Sequence, residues 1–432
     1  MTGILDLPYD LLYKLCDYLS AVDIASLLSA NKFLHKHSRD ESIWRRLSAR
    51  CGLRDTTYFS DPSFYTAYTQ LLHRYGPLIG LWASDLPFMG CIVEFRIFPG
   101  DEREEGGIIG EMWEFPKRPS DDDMPSPPVY MRVFKISMKC YNEADSSDVQ
   151  ACLCIQCTHG HDADLRMYPP TYQNYFLHDD GEVYAHPDFP SSGADWYDAE
   201  RGLPLLPESA VSCTDQYQGI RMLSLPAQIV LFTSPTESRK PGSITMECTT
   251  SDWLCMQRPP RHPPVPFDIY TPTVPRYFPL KYLVQKGVHP NDDSWSMGTL
   301  SGLWLGYYSE HTTQCLFLSW HEELKELHAC KITGGRCVPR GARTWTVQSA
   351  LPDDPVRAET LGMDPRIHRI FPGTGVVGDL GFPVPIDVNI LVGILGPDEI
   401  QIWWEWVDDG LAIRKYTRYT GRHNFESSLH SS

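Results

Sequence analysis

The chain has 432 residues, 42% hydrophobic and 22% charged, which is ordinary for a globular protein and leaves room for two or three domains or for a small module and one large domain. Its net charge of −17 and the lack of any stretch rich in Lys and Arg argue against a nucleic-acid groove and against binding to anionic membranes. It shows no signal peptide, no apolar run of the ~20 residues that a membrane helix needs, and 13 cysteines in no framework spacing, so we expect a reducing location in the cytoplasm, the nucleus or both.

Helical patterns dominate the first 75 residues. Ser20 and Asp23 are placed to cap a second helix, a later helix should stop at Gly52, and a further helix is predicted over 62–75. The apolar side chains exceed what such short helices can bury among themselves, so either a partner covers them or the helices pack on the rest of the chain. The first helix carries one apolar stripe, formed by Leu7, Leu11, Leu15 and Leu19.

Short runs rich in Val, Ile and aromatic residues follow, separated by Gly, Pro and Asp, and these predict strands. Two of the runs, at 79–85 and 301–310, begin with Gly-Leu-Trp. We expect one barrel-like β domain built from both, because a closed sheet leaves no edge unpaired. A Gly-x-Trp first strand also resembles that of lipocalin-type barrels. Pro116–Pro128 and the proline-rich Gln257–Pro279 are predicted to run over the surface.

The stretch from Ile4 to Leu47 resembles an F-box. It begins with a Leu-Pro pair, continues with a helix of spaced leucines and a helix of the form Asp-Ile-x-Ser-Leu-Leu, and ends with a Trp and a Leu. The resemblance implies binding to the Skp adaptor, which joins F-box proteins to the cullin scaffold of a cullin–RING ubiquitin ligase. By position, the residues that would face the adaptor are Leu7, Pro8, Leu11, Leu12, Leu15, Ile24, Leu27 and Leu28.

Three later blocks are similar to the F-box-only-protein thirty-one group of ubiquitin-ligase substrate receptors. They read YGPLIGLW from 75, GLWLGYYSEH from 302 and RIFPGTGVVG from 369, and the order agrees across 75–406. The resemblance implies that the region after the F-box is a β-barrel-like substrate receptor. One loop departs from the group, because KITGGRC has Gly335 where the group has an acidic residue.

The strand GLWLGYYSEH and the loop KITGGRC lie in these shared blocks, and a strand end with its following loop commonly forms the rim of a barrel. Since Gly335 replaces an acidic residue, we expect the rim to accept a negative group such as a C-terminal carboxylate, with Arg336 as its partner. Alternatively, Tyr307 and Tyr308 are ordinary packing residues of the sheet. The predicted substrate-binding residues are Tyr307, Tyr308, His311, Lys331, Thr333 and Arg336.

A cluster of cysteines and histidines, CLCIQCTHGH from 152, has the ligand types that zinc prefers. Its spacing is irregular, and buried thiols in a strand explain Cys152 and Cys154 equally well. The related group has a zinc site near here, for which only Cys157 and His161 find counterparts. We therefore expect less than one zinc per chain.

The C-terminal third is rich in Gly and Trp. The stretch Pro372–Gly381 is followed by no Lys-Ser/Thr, so it predicts close backbone approach and not a phosphate loop. Strand alternation sends Trp403 and Trp404 to opposite faces, so some rings should line a surface or a pocket mouth.

These patterns predict an α+β protein, a helical F-box followed by a large, mostly antiparallel, barrel-like β domain. We expect a non-catalytic substrate-recognition subunit of an SCF-type ubiquitin ligase, acting by proximity. The alternatives are a lipocalin-like carrier of a small apolar ligand tethered by its F-box, and an enzyme with an F-box appended. The predicted boundaries are 1–50 for the F-box, 51–76 for a helical linker, 77–422 for the substrate-recognition domain and 423–432 for a disordered tail.

Overall fold

The computed structural model describes residues 8–84, 91–115, 125, 127–142, 149–158, 172–177, 183–185, 221–223, 227–231, 244–248, 276–280, 287–308, 312–334, 338, 341–349, 362–378, 385–405 and 413–422. None of the helices in these ranges is long and apolar enough to cross a membrane. The fold has three parts, which are an N-terminal group of helices, a first β-sheet and a closed β-barrel.

Four helices open the chain, and local sequence explains where they begin and end. The Ser20 side chain accepts a hydrogen bond from the Asp23 backbone nitrogen at 3.2 Å, and the Asp23 carboxylate accepts from the Ser20 nitrogen at 3.3 Å, so the predicted cap is confirmed. Gly52, with φ +90°, follows the fourth helix and ends it as predicted. The helices are α1 (Tyr9–Leu15), α2 (Ala21–Ser29), α3 (Lys32–His35) and α4 (Glu41–Arg50).

A continuous helical segment, the linker helix, follows these four. It consists of α5 (Phe64–Thr66), a π-helical stretch (Ala67–Leu72) and α6 (His73–Tyr75), so it begins two residues later than the pattern predicts. The Glu41 carboxylate of α4 caps its start, accepting from the Phe64 nitrogen at 2.7 Å. The Trp44 ring lies 5.2 Å from the ring of Tyr65. These contacts fasten α4 to the linker helix.

The first sheet is antiparallel, and eleven of its strands lie in the described ranges. Its strand order is β6-β5-β4-β3-β2-β1-β11-β10-β9-β8-β7. One continuous apolar core joins the helices to this sheet through residues such as Leu71, Tyr75, Trp82 and Phe95. The strands are β1 (Gly80–Ser84), β2 (Ile92–Phe98), β3 (Gly107–Glu114), β4 (Val129–Asn142), β5 (Val149–Thr158), β6 (Tyr172–Leu177), β7 (Val183–Ala185), β8 (Arg221–Leu223), β9 (Ala227–Leu231), β10 (Ile244–Cys248) and β11 (Arg276–Pro279).

Eight further strands form a closed barrel in sequence order, because β12 pairs with both β13 and β19. Its interior is filled by apolar side chains, among them Trp304, Trp345, Trp404 and Tyr416. The strands are β12 (Gly302–Tyr308), β13 (Thr312–His321), β14 (Glu326–Lys331), β15 (Arg343–Gln348), β16 (Arg369–Gly378), β17 (Pro385–Ile394), β18 (Glu399–Trp404) and β19 (Ile413–Arg418). The predicted α+β class, with helices before a large antiparallel β region, is confirmed.

One end of the barrel, which we call the closed end, is covered by the 3₁₀ turn Met297–Leu300. The buried Arg418 guanidinium donates to the carbonyl oxygens of Thr299 at 2.6 Å and Ser301 at 3.0 Å. It also lies 2.9 Å from the Asp398 carboxylate. These contacts fix the turn to the last strand of the barrel.

The two Gly-Leu-Trp stretches belong to one longer repeat, Gly-x-Leu-x-Gly-Leu-Trp, at 76–82 and 298–304. In both copies the Trp indole donates to the carbonyl of the Leu four residues earlier, at 2.6 Å for Trp82 and 2.8 Å for Trp304. In both copies the second glycine has positive φ, +122° at Gly80 and +133° at Gly302, which explains why glycine stands there.

The expectation that both stretches build one barrel is wrong. β1 pairs with β2 and β11, and β12 pairs with β13 and β19, so neither strand has a free edge for the other. Each stretch instead begins its own sheet. The two sheets meet face to face through an apolar cluster that includes Leu81 and Ile92 from the first sheet and Leu303, Leu305 and Phe317 from the barrel.

Candidate functional site

The residues predicted to face an adaptor separate into two groups. Leu12, Ile24 and Leu28 expose at most 4% of their surface, because they pack in the core that joins the helices to the first sheet. Pro8 and Leu11 are exposed, whereas Leu15 and Leu27 are half-buried. Leu7 lies outside the described residues. The inner leucines are therefore covered by the chain itself.

A second set of large apolar side chains is exposed on α1, α2 and α3 and on the 3₁₀ turn Cys16–Tyr18 between α1 and α2, and we call it the helical apolar face. Tyr18 exposes 87% of its surface and Phe33 exposes 53%. Exposed aromatic and large apolar side chains are candidates for contact with another protein. The set predicted from the resemblance to an F-box included only one of these residues, Leu11. The set consists of Tyr9, Leu11, Tyr18, Val22 and Phe33.

The Tyr9 hydroxyl fixes the start of this face to α4. It donates to the Asp40 carboxylate at 2.6 Å and lies 2.7 Å from the Ser42 hydroxyl. Partial burial and the hydrogen bond to Asp40 raise the pKa of Tyr9. α1 is thereby fastened to the first turn of α4.

The barrel end opposite the closed end, where β12, β14, β16 and β18 finish, is the second candidate site. We call it the mouth. Val377 and Val388 are half-buried there, and Ile386, which pairs with Val377, is exposed. The mouth is thus lined in part by apolar side chains that water reaches.

Polar side chains replace the apolar pattern of the interior near the mouth. Lys331 pairs with Leu316, and Arg414 pairs with Ile402, and both partners belong to the barrel core. Gln314 occupies the next inward-facing position of β13, two residues before Leu316 and nearer the mouth. Lys331 and Gln314 are buried and Arg414 is half-buried. Two cationic side chains and an amide therefore enter the interior at this end.

Two indole rings belong to strands that neighbour those of the polar group, with β15 next to β14 and β18 next to β19. Trp345 and Trp404 are both buried, and the Nε1 atom of neither has a hydrogen-bond partner. Gly375 lies between them, since it pairs with Trp345 and the Trp404 ring lies where its side chain would be. An unpaired buried N–H costs free energy, which an acceptor from a ligand would recover. The Gln314 Oε1 atom is buried without a partner as well.

Four of the six predicted substrate-binding residues lie in the part of the chain that the structure describes. Lys331 enters the interior, and Tyr307 is half-buried at the end of β12. Thr333 is buried, and its hydroxyl accepts from the Cys315 backbone nitrogen at 3.3 Å. Tyr308 lies on β12 opposite Thr312. His311 and Arg336 lie outside the described residues.

Sequence reasoning missed Gln314, Trp345 and Arg414. Alternation along β13 could have found Gln314. It is a polar residue on the same face of the strand as the apolar residues Leu316 and Leu318. The predicted separation of Trp403 from Trp404 is confirmed, because Trp404 lies in the barrel core and Trp403 in an outer cluster. The expected close backbone approach in the glycine-rich stretch is also confirmed, at Gly373, where the backbone oxygen of Thr346 lies where a side chain would begin.

The zinc hypothesis remains untested. Cys157 lies on β5, where it pairs with Phe134 of β4, and His161 is outside the described residues. Within the described part of the chain, no group of three or more His, Cys, Asp or Glu residues could hold a metal ion.

Comparison with known families finds two regions of the chain that match a family. Residues 4–50 match the family described as F-box-like, and residues 288–392 match the family described as Cyclin D1 binding domain. No curated protein matches the chain. The chain thus carries an F-box-like domain at its N-terminus, and the second match includes β12 to β16 and most of β17. Neither match describes a carrier of small ligands.

Proposed function

We propose that this protein is the substrate-recognition subunit of an SCF-type cullin–RING ubiquitin ligase. Its helices bind the Skp adaptor, and its barrel binds a protein substrate. The protein itself performs no chemistry in this function. It raises the ubiquitylation rate by holding the substrate near the ubiquitin-loaded enzyme, which is an effect of proximity.

The F-box-like match and the helical apolar face support the adaptor half of the proposal. Large apolar and aromatic side chains are typical of the centre of protein interfaces. The face includes Leu11 of the predicted set, and Pro8 lies beside it. Leu12, Ile24 and Leu28 point to the inner side of the same helices, where they pack in the core shared with the first sheet and so hold the helices in place.

The polar group at the mouth carries the substrate half of the proposal. The Nε1 donors of Trp345 and Trp404 lack acceptors, and the cations Lys331 and Arg414 enter the same end. Indole donors that lack acceptors, close to two cationic side chains, favour an acceptor-rich, anionic group, and the carboxylate at the end of a protein chain is one. The name of the second matched family favours a protein over a small molecule as ligand.

The adaptor half is tested by co-purification with the adaptor and the cullin. Replacing Leu11 and Phe33 by Asp places charge in an apolar interface and should abolish binding. Leu324→Asp, at a residue of the barrel that is 61% exposed, is the matched control and should bind normally. Adaptor binding that survives the double substitution would overturn this half.

The substrate half is tested with immobilised peptides that end in a free carboxylate or in an amide. Trp404→Phe and Trp345→Phe each delete one indole donor and keep the ring. Each should weaken capture of the carboxylate peptides about tenfold, which is the value of one hydrogen bond. Trp403→Phe, outside the barrel, is the control. Equal capture by all variants would show that the mouth is not the binding site.

A further inference from the structure

The chain leaves the barrel after β19 and crosses to the first sheet. The Tyr419 nitrogen still donates to the Leu303 carbonyl of β12 at 2.8 Å. Its buried ring lies 4.5 Å from the ring of Trp113 on β3, and its hydroxyl is 3.3 Å from that of Tyr130 on β4. Tyr419 therefore contacts both β units.

Three residues further on, Arg422 reaches the first sheet. One of its terminal nitrogens donates to the Glu94 carboxylate at 3.1 Å and to the Glu111 carboxylate. Its guanidinium carbon lies 3.4 Å from the centroid of the Tyr130 ring. The Arg422 side chain is only 16% exposed. This one cation thus binds side chains from β2, β3 and β4.

The positive charge of Arg422 offsets a repulsion between two carboxylates of the first sheet. Glu94 and Glu111 are directly paired across β2 and β3, and like charges in this arrangement destabilise a sheet. Arg96 binds Glu111 at 2.8 Å and 3.2 Å, which balances one of the two carboxylates. The second carboxylate is balanced by Arg422, which comes from the other β unit.

The first sheet and the barrel also contact each other through apolar side chains, next to the ionic group formed by Arg422. Leu81, Ala83 and Ile92 of the first sheet and Leu303 and Leu305 of the barrel belong to one buried cluster, together with Tyr419. An apolar contact between two smooth sheet faces has little directionality. Hydrogen bonds from a planar guanidinium to two carboxylates have a fixed geometry, so they restrict how the barrel is oriented on the first sheet.

We propose that residues 419–422 form a latch that fastens the barrel to the first sheet and fixes its orientation relative to the helices. The consequence for ubiquitin transfer depends on the proposed function above. A substrate held in the barrel would then stay at a constant position relative to an adaptor bound to the helices.

Small-angle X-ray scattering and calorimetry of the full chain test the latch without adaptor or substrate. We expect wild type to unfold in a single transition. Arg422→Ala should split it into two transitions and increase the radius of gyration, whereas Arg422→Lys should have a weaker effect. Arg366→Ala removes an arginine that is 63% exposed and paired with Asp364 on the barrel side, and it should match wild type.

A second substitution separates the latch from simple charge balance. Adding Glu94→Gln to Arg422→Ala relieves the like-charge pair, so the first unit should regain stability while the two transitions stay separate. If Arg422→Ala and Arg422→Lys both leave the scattering profile and the single transition unchanged, the latch is wrong. Because these readouts use neither partner, failure of the proposed function would leave them unaffected.

Discussion

The guanidinium of Arg418 lies 4.8 Å from the centroid of the Trp304 ring, so the last strand of the barrel covers the tryptophan of its first strand. Both side chains are buried. A cation over an indole ring is favourable, and more so where water is excluded. Together with the carbonyl oxygens of Thr299 and Ser301 that Arg418 binds, this pair joins three elements at the closed end.

Removing Arg418 should therefore destabilise the barrel strongly. In Arg418→Met the carbonyls of the 3₁₀ turn lose their donor and the Asp398 carboxylate loses its ion-pair partner. We expect a loss of about 3 kcal/mol or more in the free energy of unfolding. Urea denaturation followed by tryptophan fluorescence measures it. Arg366→Met, at an exposed ion pair, should cost at most about 1 kcal/mol. Equal losses in the two variants would contradict the structural role of Arg418.

Leucines that differ by one position in the first helices should respond very differently to truncation. Leu28→Ala and Leu12→Ala each open a cavity in the core shared with the first sheet, and we expect losses of about 2–5 kcal/mol. Leu11→Ala, at an exposed side chain, should change stability by less than about 0.5 kcal/mol and yet weaken adaptor binding. Thermal unfolding and co-purification check the two properties separately. A large stability loss in Leu11→Ala would show that the helical apolar face is not open.

Gly375 is expected to tolerate no side chain. An added Cβ would overlap the Trp404 ring, so Gly375→Ala should cost about 1–3 kcal/mol and displace the indole whose donor we assign to substrate. Gly396→Ala is the matched control in the same barrel, because no atom lies within 4 Å of the added Cβ. Denaturation midpoints measure the difference. A normal midpoint for Gly375→Ala would mean that Trp404 lies elsewhere.

The stability of the barrel should fall on mild acidification. Burial lowers the pKa of His321, and His328, whose ring centroid lies 4.1 Å away, lowers it further. Since the folded pKa is below that of the unfolded chain, the stability is fully present above about pH 6.5 and decreases as the pH falls below it, because the unfolded chain takes up the proton first. Glu326 opposes this shift and Arg343 adds to it.

The pH effect is isolated by comparing wild type with His321→Gln between pH 7.5 and about pH 5. The variant should lose less stability than wild type over that interval. His35→Gln, which removes an exposed histidine from α3, should follow wild type. A steeper decrease in His321→Gln would reverse the sign of the pKa shift and contradict the proposed environment.

Local features of the fold were predictable from sequence, and long-range features were not. The caps at Ser20 and Asp23 and the helix end at Gly52 depend on residues within one helical turn, so spacing was sufficient. The second partners of β1 and β12, which are β11 and β19, lie more than 100 positions away in the chain. For that reason the two Gly-Leu-Trp stretches predicted strands correctly and their shared barrel wrongly.

The candidate site shows the same limit. Alternation alone placed Trp403 and Trp404 on opposite faces. It did not say which face was the interior, because this depends on the register with β17 and β19. Without that register, Arg414 and Gln314 resemble ordinary polar strand residues. The exposure of Tyr18 and Phe33 likewise depends on how the helices pack on the first sheet.

The arrangement by which both sheets pair their first strand with their last has a consequence for folding speed. Trp82 pairs with Pro279, and Trp304 pairs with Arg418. Each pairing therefore closes a very large loop, and the entropy of closing it is lost before the new contacts stabilise the chain. We expect these pairings to form last on the folding pathway, after the sequential hairpins. Until then β12 and β19 each present an unpaired edge, to which strands of other chains can add. A substitution that slows this final step would thus deplete the protein by aggregation even if the finished fold were fully stable.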